Sequence, residues 1–315
     1  MPSTAAPSNV NHPRHSHALM HVLMFFTTFF WAANIVAGKL VLHTLNDMAL
    51  AQVRATCGAI LFVGGFFLWR GRPALKLTRP EWRFLALAAF FGITVNQIFF
   101  ISGIDWTSAA HSGLIVALGP VMVLILACAM RLEALTVLKT VGALVALAGV
   151  GVLTAGKEAQ GGGVTLLGDA LLFLGGLAFA YYTILLKEVA DRYSSLTLNA
   201  LIFALGAIFL LPFSATSLVR VHWTKLPAET WWGIAFIVIL GTFAAYLFYA
   251  FALTELAASR VAAFAYLQPA IAAGLGVWLL HESVTWRVVL GGAMILAGVY
   301  LAERERAGEE LPAKS

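Results

Sequence analysis

Long apolar stretches nearly free of charge alternate with short polar connections along the whole chain. Ten can be marked, at 19–42, 48–69, 81–103, 107–130, 133–155, 164–187, 195–213, 229–253, 256–280 and 283–302. Each holds about 20 residues, roughly 30 Å as an α-helix, which is the thickness of bilayer hydrocarbon. None alternates as a strand does, and only helices or closed barrels satisfy their backbone in lipid. The pattern therefore predicts an all-α polytopic membrane protein of ten transmembrane helices. The longest connection is about 15 residues, too short for a soluble domain, so catalysis or ATP use by an extramembrane module of this chain is excluded.

Composition sharpens this picture. Hydrophobic residues make up 61% of the 315 positions and charged residues 11%, against roughly 45–50% and about 25% in soluble domains. Residues 1–18, polar and rich in Pro and Ser, read as a disordered cytoplasmic tail, and 303–315 as a second one. His12, His15 and His17 lack Cys or carboxylate neighbours, a weak basis for a metal site, and neither metal nor cofactor is expected. Cys57 and Cys128 fall inside spans and read as small core residues. Fourteen of the twenty Lys and Arg fall on one side if the N-terminus is cytoplasmic, five on the other, and Arg54 lies within a span. By the positive-inside rule both termini are cytoplasmic. The basic balance is thus a topology signal and implies no nucleic-acid partner.

The chain also echoes itself. At an offset of 149 residues Leu118 matches Leu267, Pro120 matches Pro269, Glu133 matches Glu282, Thr136 matches Thr285, Gly142 matches Gly291, and Ala148-Gly149-Val150 matches Ala297-Gly298-Val299. At an offset of 148, Ala32 meets Ala180, Lys39 meets Lys187, and Gly58-Ala59-Ile60 meets Gly206-Ala207-Ile208. One five-helix unit, 19–155, is thus repeated at 164–302. Five is odd, so the second copy enters the membrane from the opposite side, the inverted-repeat arrangement typical of secondary transporters.

The stretch "DWTSAAHSGLIVALGPVMVLILACAMRLEALTVLKTVGALVALAGVGVL" and its partner "LTELAASRVAAFAYLQPAIAAGLGVWLLHESVTWRVVLGGAMILAGVYL" resemble the two signature regions of EamA-type carriers, members of the drug/metabolite transporter superfamily. The resemblance covers residues 19 to 302. It implies a ten-helix fold of two inverted halves in the inner (cell) membrane of a bacterium, surrounded by lipid and exporting small metabolites.

Polar and aromatic residues inside spans are the candidates for a substrate cavity, because lipid penalises them and a hydrated cavity does not. They are Trp31, Asn34, Asn96, Gln97, His111, Tyr181, Tyr182, Tyr246, Tyr249, Tyr266 and Gln268. Each alone is equally well a satisfied polar group or core aromatic between helices. Pro120 and Pro269 fall mid-span, where each frees a carbonyl and either hinges its helix or only shapes packing. Glu133 and Glu282 read as caps at the starts of the fifth and tenth helices. Gly142 with Ala146, and Ala293 with Ala297, set small-xxx-small faces for packing within the chain or for a homodimer. Arg54 would cost roughly 2.5–3.5 kcal/mol at the bilayer centre; it either snorkels to the outer interface or binds a carboxylate.

No span carries Asp or Glu near its centre. Lipophilic-cation efflux through an embedded carboxylate, as in small multidrug carriers of the same superfamily, is therefore disfavoured. A cavity of aromatics and amides suits neutral or zwitterionic solutes, amino acids above all; a drug/proton antiporter on the same fold is the alternative. "GVLTAGKE", 151–158, matches a phosphate-binding loop until Glu158 replaces the Ser or Thr that would reach magnesium. Neighbouring His111 and Ser112 point about 100° apart on a helix and form no catalytic pair, so no enzyme is expected. Monomer and homodimer both remain open.

Overall fold

The computed structural model describes residues 17–68, 77–130, 136–154, 166–187, 193–255, 264 and 267–304. Helices account for nearly all of them, and no strand occurs among the described residues. In chain order they are α1 (His17–Leu42), α2 (Asp47–Leu68), α3 (Arg79–Asp105), α4 (Ala109–Ala129), α5 (Val137–Thr154), α6 (Leu166–Lys187) and α7 (Ser195–Arg220). α8 runs through Ala228–Val238, Ile239–Ala244 and Ala245–Glu255, followed by α9 (Leu267–Leu280) and α10 (Trp286–Arg304). Helices α1 to α4 and α6 to α8 are long and apolar enough to cross a membrane, while α5, α9 and α10 contain shorter apolar stretches. Large side chains such as Leu68, Leu144, Trp232 and Val289 stay exposed on the flanks, as expected where lipid rather than water is the solvent. The protein is a helical, multi-span membrane protein.

The helix boundaries have local causes. α3 starts with Pro80 in its first turn, and the Glu81 carboxylate accepts from both the N–H and the hydroxyl of Thr78, each at 2.8 Å. Ser194 caps α7, accepting from the Thr197 N–H at 3.2 Å. α7 continues past the predicted 213 to Arg220 with Pro212 inside it. Thr136 and Thr285, the echoed threonines, accept from the N–H groups of Lys139 and Val288 and cap α5 and α10.

The sequence reading gave that capping role on α10 to Glu282, and here the structure differs. His281 adopts a left-handed backbone (φ 54°) and the Glu282 N–H bonds back to the Gly276 carbonyl, closing α9. The turn aims the Glu282 carboxylate at the start of α4, where both oxygens lie 2.9 Å from the Ala109 nitrogen. Glu133 lies outside the described residues.

Three contacts organise the ends of the bundle. At one end, Thr44 after α1 meets Thr230 at the start of α8 (2.7 Å), and Lys39 reaches Glu282 at 3.8 Å. At the other, the Tyr193 hydroxyl donates to Glu81 at 3.2 Å. The connections α1–α2, α3–α4, α7–α8 and α9–α10 therefore share the Lys39 end. Helices pair as α2 with α7, α4 with α9 and α5 with α10; α1 packs on α8 and α9, and α6 packs on α3 and α4.

Glycines let these pairs close. A methyl at Gly298 would sit 2.5 Å from the Gly142 carbonyl oxygen, and one at Gly149 would sit 2.8 Å from that of Gly291. Gly142 and Ala146 do face α10, as their spacing predicts, but Ala293 and Ala297 point outward and are exposed. The α10 side of the contact is Gly291, Ile295 and Gly298 instead, because close backbone approach selects Gly over Ala.

Both α3 and α8 widen into one π-helical turn, Phe90–Val95 and Ile239–Ala244, 149 residues apart. Such turns are uncommon and concentrate at functional positions. Their third residues are Gly92 and Gly241. A methyl at Gly92 would lie 2.4 Å from the Tyr182 ring, and one at Gly241 would lie 2.6 Å from Asn34 Oδ1. Each glycine thus admits a side chain of the crossing helix, α6 or α1.

α4 is interrupted at Ala117–Leu118, one residue before the second segment, Gly119–Ala129, opens with Pro120 in its first turn. Pro269 was placed mid-span by the sequence, yet it stands third in α9, in that helix's first turn, where a missing N–H costs least.

Candidate functional site

The aromatic candidates converge at mid-bundle. Trp31 of α1 packs on Tyr249 (ring centroids 5.1 Å apart), Tyr246 (5.7 Å) and Phe179 (6.4 Å), joining α1, α6 and α8. Tyr246 also meets Phe203 of α7 edge-on at 5.1 Å, and Tyr182 packs on Phe179 at 5.2 Å. Tyr181, adjacent in sequence, turns away to Phe91 at 4.9 Å, so of that pair only Tyr182 joins the cluster.

Polar side chains of α1 and α3 are buried in the bundle as well. Gln97 is completely buried, and among the described residues neither its amide oxygen nor its nitrogen has a hydrogen-bond partner; Asn34 Oδ1 is likewise unpartnered in a residue 3% exposed. Asn96 differs from its neighbour, since its amide donates to the Gly175 carbonyl at 3.0 Å and ties α3 to α6. That bond makes Asn96 a packing residue.

Arg54 does not snorkel to an interface. It is 3% exposed, and its Nε donates to Thr242 Oγ1 at 2.8 Å, in the π-helical turn midway along α8. The Thr242 hydroxyl donates in turn to the Ile237 carbonyl at 2.9 Å, a five-residue span that the widened turn opens. The Phe100 ring centroid lies 6.0 Å from the guanidinium carbon. Asn34 approaches the same turn beside Gly241, so Arg54 and Asn34 lie against neighbouring residues of it.

The remaining candidates lie elsewhere. His111 stands in the first turn of α4 at the Lys39 end, with Nδ1 3.3 Å from Asp169 Oδ2 of α6, and Thr107 donates to Asp169 Oδ1 at 2.6 Å. Asp169 was not singled out from sequence, because an Asp in a first turn reads as a helix-end charge. Gln268 is buried in the first turn of α9, its backbone carbonyl near Gly113 of α4. Tyr266 lies outside the described residues.

Lys39 organises the end of the bundle above the site. Its ammonium donates to the carbonyls of Thr107 and Ile104 and pairs with Glu282. Ser102 donates to Asp47, tying α3 to α2. Cys57 and Cys128 are half-buried and form no disulfide among the described residues.

These residues form a buried, ring-lined centre, and the chain is similar to known transporters over nearly its whole length. An uncharacterized transporter of Archaeoglobus fulgidus is 30% identical over 282 residues, covering 89% of this chain and 96% of its own length. The uncharacterized transporter YvbV of Bacillus subtilis is 24% identical over 294 residues, 93% of this chain and 94% of its own. A crystal structure shares the fold with a TM-score of 0.65 at 18% identity, covering 94% of this chain and all of that one. The EamA-like transporter family matches twice, over residues 18–155 and 166–303. Two matches that together span nearly every helix place the chain in the EamA-like transporter family of the drug/metabolite transporter superfamily.

Proposed function

We propose that this transporter exports small neutral or zwitterionic metabolites, amino acids above all, by alternating access. One observation carries the reading: Gln97, wholly buried at the centre of a membrane bundle, leaves both amide atoms unpartnered. Each unsatisfied buried polar group costs about 1–3 kcal/mol, a cost that is offset when a solute with its own donors and acceptors binds. Asn34 Oδ1, against Gly241 of α8, offers a further buried acceptor, and the rings of Trp31, Tyr246 and Tyr249 supply the apolar wall.

The moving parts are two inverted five-helix halves, 19–155 and 164–302. The paired π-helical turns support this, as do the Gly92–Tyr182 and Gly241–Asn34 approaches, which correspond at the offsets of 148 and 149 residues. So does direction: α1 ends at the Lys39 end, while α6 begins there with Asp169 against Thr107. Positive charge assigns the Lys39 end to the outside of the inner membrane and both termini to the cytoplasm. Lys39, Glu282 and the α4 N-terminus then form the outer closure, and Pro120 marks where α4 bends.

Efflux of a labelled amino-acid panel from proteoliposomes tests the reading. Saturable efflux of a few members, lost in Gln97→Leu and Trp31→Ala, supports it; flux of none overturns it.

The alternative, a drug/proton antiporter, draws on the buried His111–Asp169 pair as a proton site. Its weakness is Arg54, whose guanidinium at the centre opposes entry of a cationic drug.

A further inference from the structure

We infer that Arg54 is the anion anchor of the transport site and that the transported solute carries a carboxylate. The inference rests on the transporter reading above and narrows its substrate class.

A guanidinium held away from water is costly unless a counter-charge pairs with it. Arg54 is 3% exposed, yet among the described residues no carboxylate pairs with it; its single hydrogen bond, from Nε, goes to the neutral hydroxyl of Thr242. Acidic groups at the nearby helix ends are otherwise engaged: Asp47 by Ser102 and the Met48 N–H, Glu282 by Lys39 and Ala109. The Nε bond fixes the plane of the guanidinium, so its remaining N–H groups keep the fork that grips a carboxylate through two parallel hydrogen bonds.

The neighbours fit such a ligand. Gln97 lies one turn from Phe100 on α3, the ring 6.0 Å from the guanidinium, so the unpartnered amide comes to the same side as Arg54. Tyr246 lies one turn beyond Thr242, the Arg54 partner, on α8 and packs on Trp31. A solute with its carboxylate on Arg54 would therefore lay its body against the Trp31 and Tyr249 rings, whose faces accept apolar groups or an ammonium. Repeat symmetry does not supply this polarity. The positions equivalent to Arg54 and Thr242 are Ile202 and Ile93, so the halves enclose a charged wall and an apolar one.

The test compares matched probes on the purified full chain: L-phenylalanine, L-leucine and L-methionine, their carboxamides, and the corresponding des-amino acids. Stabilisation in detergent and counterflow in liposomes are read together. The expected result is binding of the acids about tenfold or more tighter than of the carboxamides, the worth of one charge-assisted pair. Arg54→Gln should abolish that discrimination and Arg54→Lys should restore part of it. If Arg54→Gln fails to fold, the wild-type comparison of acid with carboxamide decides alone. Equal binding of acids and carboxamides, discrimination that survives in Arg54→Gln, or displacement of the acids by chloride at physiological concentration would each overturn the anchor. Saturable carboxamide flux without acid flux would overturn the anchor and leave the transporter standing, whereas no saturable flux of any solute would remove the transporter reading itself.

Discussion

His111 Nδ1 lies 3.3 Å from the Asp169 carboxylate, joining the first turn of α4 to that of α6 beneath the Lys39 closure. Around it stand Thr107, which donates to the same carboxylate, and, through the Thr107 carbonyl, the ammonium of Lys39; Glu282 pairs with that ammonium. A buried imidazole–carboxylate contact that ties α4 to α6 fits a step in which the two helices part. Asp169→Asn is expected to keep solute counterflow while losing acceleration by an imposed pH gradient, with His111→Gln behaving alike. Gradient stimulation equal to wild type in both variants would show that the pair only fastens α4 to α6.

The two π-helical turns make a prediction about packing. Ala at Gly241 forces Asn34 aside, and Ala at Gly92 meets the Tyr182 ring at 2.4 Å. Overpacking of this kind costs about 1–3 kcal/mol, so both variants should melt lower in detergent. Gly206→Ala, 2.4 Å from Ile93, serves as a comparison in the apolar wall. Gly241→Ala should lose transport beyond its loss of stability, since it displaces Asn34 beside the Thr242–Arg54 contact. Flux that falls only in proportion to folded protein in both variants would remove the functional weight from the turn.

How much of this was legible beforehand differs by feature, for physical reasons. Spans were legible because twenty apolar residues in a row is a local signal, and the echo because Pro, Gly and Thr mark it against a background of Leu and Ala. Thr136 and Thr285 were visible as echoed positions but lost the capping role to Glu133 and Glu282, since helix ends attract both residue types; the turn at His281 that sends Glu282 to α4 is a tertiary matter. Trp31, Tyr246 and Tyr249 pack together, whereas Tyr181 could not be told from Tyr182 until the direction of α6 was known. The π-helical turns left no periodicity to read, because they exist only where a crossing side chain pushes into a glycine. Arg54 was conspicuous as a charge, but whether it reached outward or inward depended on Thr242, 188 residues away in the chain.

The closure at the Lys39 end should respond to Lys39. Its ammonium satisfies the carbonyls of Ile104 and Thr107 and pairs with Glu282, so Lys39→Met leaves the carbonyls and the carboxylate without that cation. The closed arrangement then loses stability relative to the open one, and a coupling of about 1–3 kcal/mol corresponds to roughly 5- to 150-fold in population. Ser112, wholly buried in the first turn of α4, reports on this once replaced by Cys in a background lacking Cys57 and Cys128. Labelling by a membrane-impermeant thiol reagent should accelerate in Lys39→Met. An unchanged rate would mean that Lys39 fastens the α3–α4 connection without gating it.

The contact between α5 and α10 separates packing within the chain from assembly between chains. A methyl on Gly298 meets backbone atoms of Gly142 and Ala146 at 2.4–2.5 Å, and backbone cannot step aside as a rotamer can, so Gly298→Ala must part the helices. Ala297 one position earlier faces outward, where a larger apolar side chain only trades contact with lipid. Gly298→Ala should therefore lower the melting temperature in detergent by several degrees, while Ala297→Leu leaves it near that of the parent. The sedimenting mass should also be the same for Ala297→Leu and parent. A change of mass in Ala297→Leu would instead show that the outward Ala293–Ala297 face of α10 meets a second copy of the chain, because a lipid-facing position has no means of altering assembly.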